Sequence, residues 1–146
     1  MKKIYIASDH GGYGLKKKLI PYLEKKYKVE DLGPYSYNKN DDYPDYAIPL
    51  AKKVAKTKSQ GIVICRNGQG ICIAVNKVKG IRGVTGFSVK EAKTTKLDDD
   101  ANVLSLPADY LSTSKAKKIA KVWLETKFSG LKRHKRRLAK VKKEER

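Results

Sequence analysis

The chain has 146 residues, 40% of them hydrophobic, and a formal net charge of +19 at pH 7. This length suits one domain that buries a core, and no apolar run is long enough to predict a transmembrane helix. Two cysteines and two histidines are too few to indicate a disulfide framework or a zinc site, so we expect neither a bound metal nor a disulfide.

The charge comes mainly from lysine, with 28 lysines against 6 arginines. One explanation is a surface that binds nucleic acid or polyphosphate, and the other is a solvated lysine surface. The lysines are spread along the chain at helix-surface spacing, and no aromatic residues are interleaved with the basic C-terminus. This pattern favours the solvated surface and argues against nucleic acid as a partner, although the positive field still attracts an anionic substrate.

Apolar, strand-like runs alternate with amphipathic helical patterns along the chain. In chain order the predicted elements are strand 3–7, helix 13–26, strand 28–31, helix 44–57, strand 61–65, helix 70–77, strand 81–85, helix 88–97, strand 101–106, helix 112–128 and a basic C-terminal helix within 131–146. Pro44 suits a first helical turn, and Ser88 with Glu91 predicts a capping box. Five strands alternating with helices predict an α/β fold with a doubly wound parallel sheet.

The N-terminus is basic and then apolar, and the apolar part is too short for a signal peptide, so we expect a cytoplasmic protein.

Polar side chains follow the first strand at Asp9 and His10, where the sequence fits either a helix entry or the mouth of a pocket. In doubly wound sheets, ligands bind beyond the carboxyl ends of the strands. Both interpretations of Asp9 and His10 remain open on the sequence alone.

The third strand ends at Cys65 and is followed by the polar turn Arg66-Asn67-Gly68-Gln69-Gly70. Glycines let the backbone approach a ligand, and free N–H groups before a helix favour negative charge. The same field favours the thiolate of Cys65, so we predict that Cys65 is a base and that the turn stabilises the anion it creates. A third glycine is missing from the turn, which argues against a nicotinamide cofactor. Cys72 lies on an apolar helix face, and we predict that it is core.

Three further features each have two explanations. Tyr43 contributes a hydroxyl to a pocket or packs at a helix start. The run Asp98–Asp100 is a solvated turn, or one of its carboxylates is buried and like-charge repulsion raises its pKa. Arg133 and Arg137 share one helix face, where two guanidinium groups can hold a phosphate, or they belong to a solvated basic face.

These motifs together resemble the B-type ribose-5-phosphate isomerases and the related galactose-6-phosphate isomerase subunits. The resemblance covers nearly the whole chain and rests on the segments 8–12, 42–47, 61–77, 100–104 and 133–137. It implies a Rossmann-like fold and a homodimer or homotetramer whose active sites lie across the subunit interface. It also implies interconversion of an aldose phosphate and a ketose phosphate, such as ribose 5-phosphate and ribulose 5-phosphate of the pentose phosphate pathway, without metal or cofactor.

The resemblance also implies roles for individual residues. Cys65 would be the base of a cis-enediolate mechanism, with substrate contacts from Asp9, His10, Tyr43, Arg66, Asn67, Gly68, Gln69, Gly70, Asp99, Arg133 and Arg137. Asp98 would be the second catalytic residue, because it stands where the family has a histidine that opens the sugar ring, although it would need a raised pKa to act as an acid. Asp109 stands where many members have an arginine. These departures leave open another pentose or hexose phosphate as substrate, or a partner subunit that binds sugar phosphate with little catalysis.

Overall fold

The structure is a computed structural model that describes residues 1–146. Its centre is one parallel sheet with the strand order β2-β1-β3-β5-β4. The strands are β1 Lys3–Ser8, β2 Lys28–Asp31, β3 Gln60–Cys65, β4 Gly83–Thr85 and β5 Val103–Pro107. Five of the six residues of β1 and of β3 are buried, which explains why their apolar runs are almost continuous.

Helices cover both faces of this sheet. They are α1 Tyr13–Leu23, α2 Pro44–Thr57, α3 Gln69–Val75, α4 Val89–Asp99, α5 Thr113–Glu125 and α6 Lys132–Lys143, with a short 3₁₀ turn at Ala108–Tyr110. Side chains of α1, α4 and α5 pack on one face around Trp123, and those of α2 and α3 pack on the other. The predicted doubly wound, Rossmann-like α/β fold is therefore confirmed.

The predicted boundaries differ from the observed ones by a few residues at several elements. Helix α1 ends at Leu23 and α5 at Glu125, three residues early in both cases. Thr126 already has an extended backbone, and its hydroxyl donates to the Val122 carbonyl, which ends α5. The predicted capping box of α4 is present, with Glu91 N donating to Ser88 Oγ over 3.1 Å.

One lysine of α1 is not on the solvated face where the periodicity places it. Lys16 is 1% exposed, and its Nζ lies 2.8 Å from Asp31 Oδ1 and 2.6 Å from the Pro34 carbonyl. Burial lowers the pKa of Lys16, while the hydrogen bond to Asp31 opposes that shift. The ion pair therefore ties α1 to the end of β2.

The order of the strands determines where a ligand site can form. Strands β2 and β3 lie on opposite sides of β1, so the chain changes direction there and leaves a crevice beyond the carboxyl ends of β1 and β3. Strand β1 ends at Ser8 and β3 at Cys65. No helix of the chain combines the length and the apolar character needed to cross a bilayer.

Candidate active site

The turn after β3 is held by side chains from the neighbouring strands. Gly68 has φ +72°, and its carbonyl accepts hydrogen bonds from Ser105 Oγ at 2.5 Å and Thr85 Oγ1 at 3.2 Å. A Cβ at this position would lie 3.0 Å from the backbone nitrogen of Pro107. Glycine is therefore required here both by the left-handed conformation and by the close packing against β5.

Cys65 lies directly beneath this turn and is 5% exposed. Its thiol donates to Asn67 Oδ1 over 3.8 Å, and the same oxygen accepts from the Gln69 amide at 2.9 Å. No hydrogen bond within the chain uses the backbone amides of Asn67, Gly68 or Gly70. A buried sulfur atom and three unused N–H donors therefore share one turn, whose Arg66, Asn67 and Gln69 are exposed to solvent.

The loop after β1 packs against the end of β3. The amide of Asp9 donates to the Ile64 carbonyl at 3.2 Å, and a Cβ on Gly12 would overlap that carbonyl oxygen. Asp9 is buried and its Oδ1 accepts from the Gly12 amide at 3.1 Å. Burial raises the pKa of Asp9, although the Gly12 hydrogen bond and the neighbouring His10 oppose the shift.

His10 is held by Asp41, a residue that the sequence motifs did not indicate. Asp41 Oδ1 accepts from the His10 amide at 2.9 Å and lies 2.6 Å from His10 Nδ1. The Asp41 side chain is only 4% exposed, and its second oxygen has no hydrogen-bond partner. This contact fixes the orientation of the ring, and Nε2 of His10 has no hydrogen-bond partner within the chain.

Tyr43 and Arg66 lie at the same edge of the sheet as Cys65 and His10. The Tyr43 ring packs on Gly70, where an added Cβ would lie 2.9 Å from Tyr43 Cζ. The Arg66 side chain crosses Gly11, and its Nη1 lies 3.6 Å from Asp109 Oδ1. Arg66 forms no hydrogen bond to the Cys65 sulfur, so its cation is engaged by Asp109 and not by the thiol.

The two cysteines differ in their surroundings. Cys65 belongs to the buried cluster on the α2 and α3 face, whereas Cys72 is only partly buried and its neighbour Ile73 is 61% exposed. Burial raises the pKa of the Cys72 thiol. Cys72 therefore lies at the margin of the core and not inside it, because α3 turns its outer face to solvent.

The remaining predicted site residues lie at the opposite edge of the sheet. Asp98 and Asp99 are exposed at the end of α4, and Arg133 and Arg137 are exposed on α6 and form no ion pair within the chain. Asp98 Oδ1 lies 3.6 Å from Nε2 of His134, whose Nδ1 shares a hydrogen bond with Ser129 Oγ at 2.7 Å.

The strand register shows how far apart the two groups are. Cys65 pairs with Pro107 and Gly61 pairs with Val103, and α4 ends just before Val103. Four residues of strand span about 13 Å, so Asp98 and Asp99 cannot meet the Cys65 sulfur in one chain. The structure brings together Asp9, His10, Tyr43, Cys65, Arg66, Asn67, Gly68, Gln69 and Gly70 at the carboxyl edge, and leaves the other four elsewhere.

One group of side chains has the composition of a metal site. Ligand atoms of Asp9, His10 and Asp41 lie within 4.8 Å of one another. However, His10 Nδ1 and Asp41 Oδ1 already share a hydrogen bond of 2.6 Å, and Asp9 is engaged by the Gly12 amide. This group is therefore a hydrogen-bonded support for His10.

The sequence profile of the Ribose/Galactose Isomerase family matches residues 4–141. The chain belongs to this family. Ribose-5-phosphate isomerase B of Mycolicibacterium paratuberculosis is 34% identical over 138 residues, which cover 93% of this chain and 87% of the relative. The family that the sequence motifs indicated is therefore confirmed.

Solved structures of family members have the same fold. A crystal structure of ribose-5-phosphate isomerase B from Mycoplasma genitalium with bound ribulose-5-phosphate superimposes with a TM-score of 0.93 at 42% identity, covering 97% of this chain and 94% of that one. The type B enzyme of Trypanosoma brucei gives a TM-score of 0.93 at 33% identity, covering 98% of each chain. Membership of the family thus rests on both sequence and fold.

Three residues that shape the site were missed by sequence reasoning. Asp41 lies in the loop before Tyr43, and the only local sign of its role was the acidic pair that it forms with Asp42. Thr85 and Ser105 are polar residues at strand ends, where they hold the Gly68 carbonyl. Each contact joins segments more than fifteen residues apart, so local pattern could not reveal it.

Proposed function

We propose that this chain interconverts ribose 5-phosphate and ribulose 5-phosphate, with Cys65 as the base. The observation that carries the proposal is the Cys65 sulfur placed under a turn whose Asn67, Gly68 and Gly70 amides are unused. The Mycoplasma genitalium relative, which has bound ribulose-5-phosphate, supports the choice of sugar. An aldose–ketose isomerisation needs one base beside donors that can stabilise an oxyanion, and this turn supplies both.

The chemistry follows from that geometry. The Cys65 thiolate takes the proton from C2 of the open-chain aldose, and the electron pair of that C–H bond forms the C1–C2 double bond of a cis-enediolate. The developing oxygen charge is met by the free amides of the turn. The same thiol returns the proton to C1 while the hydroxyl proton passes from O2 to O1, which gives the ketose. Asp9 and Tyr43 hold sugar hydroxyls beside the reacting carbons.

The phosphate end requires residues that lie at the other edge of the sheet. His10 is at the Cys65 edge, but Arg133 and Arg137 are exposed on α6 and unpaired. We propose that a second copy of the chain brings its two arginines, with its Asp98 and Asp99, to this Cys65. Exposed apolar side chains near both halves, Ile73 at 61% and Val141 at 62%, fit a contact between copies.

One observation favours a second candidate, a subunit that binds sugar phosphate but isomerises it slowly. Asp98 stands where the family pattern has a ring-opening histidine, and a carboxylate has no proton to donate to the ring oxygen. In this structure Asp98 is directed at His134, 3.6 Å away. Slow ring opening would leave isomerisation of the open-chain sugar intact and limit turnover on the cyclic form.

The direct test is a panel of aldose and ketose phosphates assayed in both directions. We expect turnover of ribose 5-phosphate by the native chain, and loss of turnover but retention of ligand binding in Cys65→Ala. Cys72→Ala is the matched control, because it removes the other thiol, and it should keep full activity. Full activity of Cys65→Ala would refute the role of Cys65, whereas binding of every sugar without turnover would favour the second candidate.

A mixing experiment tests the shared site. Cys65→Ala and Arg137→Ala, each inactive alone, should regain about a quarter of native activity when unfolded and refolded together, because half of the dimers are mixed and each has one intact site. Cys65→Ala mixed with Asp9→Ala is the control, since both changes fall in the same half-site. Equal recovery in the two mixtures, or none in either, would refute a site shared between copies.

A further inference from the structure

One cavity of the chain lies away from Cys65. Its volume is about 1300 Å³, and it is bounded by the starts of β1, β3 and β5 and by the ends of α2 and α5. Because every strand of the sheet is parallel, this amino edge is separated from the turn after β3 by the full length of the strands. The cavity is therefore distant from the turn that carries Cys65 of the same chain.

A buried lysine from α4 lines this cavity. Lys96 is 7% exposed, its Nζ lies 4.3 Å from the centroid of the Trp123 ring, and it contacts Gln60 Oε1. No carboxylate lies within 4.0 Å of this ammonium group, so it has no ion-pair partner in the chain. Burial lowers the pKa of Lys96 to about 8, with Lys2 adding to the shift and Asp100 opposing it.

Lys16 is a second buried lysine, and its ammonium group has the hydrogen-bond and ion-pair partners that Lys96 lacks. Its Nζ has a carboxylate at 2.8 Å and a carbonyl at 2.6 Å. Lys96 has three N–H donors but only one oxygen acceptor and one aromatic face. A buried ammonium is costly unless its charge is compensated, so the unused donors of Lys96 point to a ligand that carries negative charge.

The electrostatic potential of the cavity is positive, because its walls carry more cations than carboxylates. The cations on its walls are Lys2, Lys3, Lys58, Arg82, Lys96 and Lys127. Its two carboxylates already have partners, since Asp100 lies 3.4 Å from Arg82 and Glu125 lies 3.1 Å from Lys26. Lys3 and Arg82 are paired as well, with Glu30 at 3.2 Å and Asp100 at 3.4 Å. An anion that entered the cavity would therefore meet the unpaired cations Lys2, Lys58, Lys96 and Lys127 and no free carboxylate.

The exposed lysines at this edge have an ordinary explanation. Helices α2, α4 and α5 all end here, and cations near a helix carboxyl end offset its partial negative charge. Lys96 also lies in the last turn of α4, but it differs from the exposed lysines because its ammonium group is buried against Trp123 and Gln60. The buried ammonium group, and not the general lysine content, carries the inference.

We propose that this cavity binds a small phosphorylated anion, with the Lys96 ammonium as its buried counter-charge and Lys2 and Lys58 as outer cations. A phosphate group suits the site because it carries two charges and several acceptor oxygens for the unused N–H donors. Because Lys96 is buried, its ammonium group is accessible to a small anion and not to the backbone of an extended polymer. This second site does not depend on the isomerase activity.

The protein contains its own reporter, because Trp123 is its only tryptophan and lies against Lys96. Inorganic phosphate and pyrophosphate are titrated into the native chain at constant ionic strength, with chloride as the balancing salt, while tryptophan fluorescence is recorded. We expect a saturable change. Lys96→Met, which keeps an apolar stem on the indole, should weaken the apparent affinity at least about tenfold, and Lys96→Arg should restore it.

Two control variants separate this site from other lysines and from the sugar-phosphate site. Lys93→Met removes an exposed lysine from the same helix, and Arg137→Ala removes a cation from the proposed phosphate grip on α6. Both should leave the fluorescence titration unchanged. An absence of saturation at millimolar phosphate in the native chain, or the same affinity in Lys96→Met as in Lys93→Met, would overturn the proposal.

Discussion

Removal of the Asp41 carboxylate tests whether the hydrogen bonds from His10 to Asp41 are needed for substrate binding or turnover. Asp41 Oδ1 accepts from the His10 amide at 2.9 Å and lies 2.6 Å from Nδ1, and the side chain is 4% exposed. Hydrogen bonds to a charged group contribute about 1.5–3 kcal/mol each. Asp41→Ala should therefore lower kcat/KM by roughly 10- to 100-fold, which corresponds to the loss of one such bond in the bound complex.

The division of the loss between kinetic constants identifies the role of His10. If His10 holds the phosphate, most of the loss should appear in KM, because the contact is made equally in the ground state and the transition state. Asp41→Asn keeps an acceptor oxygen but not the charge, so its kcat/KM should fall between the native and Asp41→Ala values. The assay is initial-rate isomerisation of ribose 5-phosphate, with thermal unfolding recorded for each variant.

Asp42 offers the matched control. It is the next residue along the same loop, carries the same charge, and is exposed without a hydrogen bond from its side chain. Asp42→Ala should retain native kinetics. Identical kcat/KM for Asp41→Ala and Asp42→Ala, with both variants folded, would show that the Asp41–His10 contact has no part in catalysis or binding.

Three further predictions concern the same protein. Asp9→Asn should lower activity and raise Tm at pH 7. Because burial raises the pKa of Asp9 in the folded state, the native protein loses stability as the pH rises above about 4, and the neutral Asn avoids this loss. Calorimetry below that pH should therefore find the same Tm for the variant and the native protein. Gly68→Ala should lower the free energy of unfolding by roughly 1–3 kcal/mol and reduce kcat, because φ is +72° and the new Cβ would lie 3.0 Å from Pro107 N. The control Gly14→Ala, whose Cβ meets no atom within 4 Å, should be neutral or stabilising, and equal denaturation midpoints for the two variants would contradict this. Asp98→His should raise turnover on cyclic ribose 5-phosphate, and stopped-flow rates that do not change would mean that ring opening is not limiting.

Much of the fold could be predicted from local pattern. The apolar runs of β1 and β3 are buried on both faces, so their sequences are distinctive, and Ser88 with Glu91 marked the start of α4 through contacts three residues apart. Boundaries were less certain. Helices α1 and α5 end earlier than their amphipathic pattern because the following residues turn toward the next element.

The parts of the site that are contiguous in sequence could be predicted, and the contacts between distant segments could not. Cys65 and the glycine turn are contiguous, so a strand end, a thiol and free amides could be recognised together. The contact between Asp41 and His10 spans 31 residues, and that between Ser105 and Gly68 spans 37. Such pairs depend on how loops meet above the sheet, which no local periodicity encodes.

The sequence by itself determined the alternation of strands and helices, the family and the turn that carries Cys65, because each depends on neighbours along the chain. Only the tertiary structure decided that Arg133, Arg137 and Asp98 lie at the edge opposite Cys65, since strand order and register set that separation. It also decided the burial of Lys16 beside Asp31 and of Lys96 beside Trp123. Lysine is ordinarily a surface residue, and whether it finds a partner when buried is settled by packing across the whole fold.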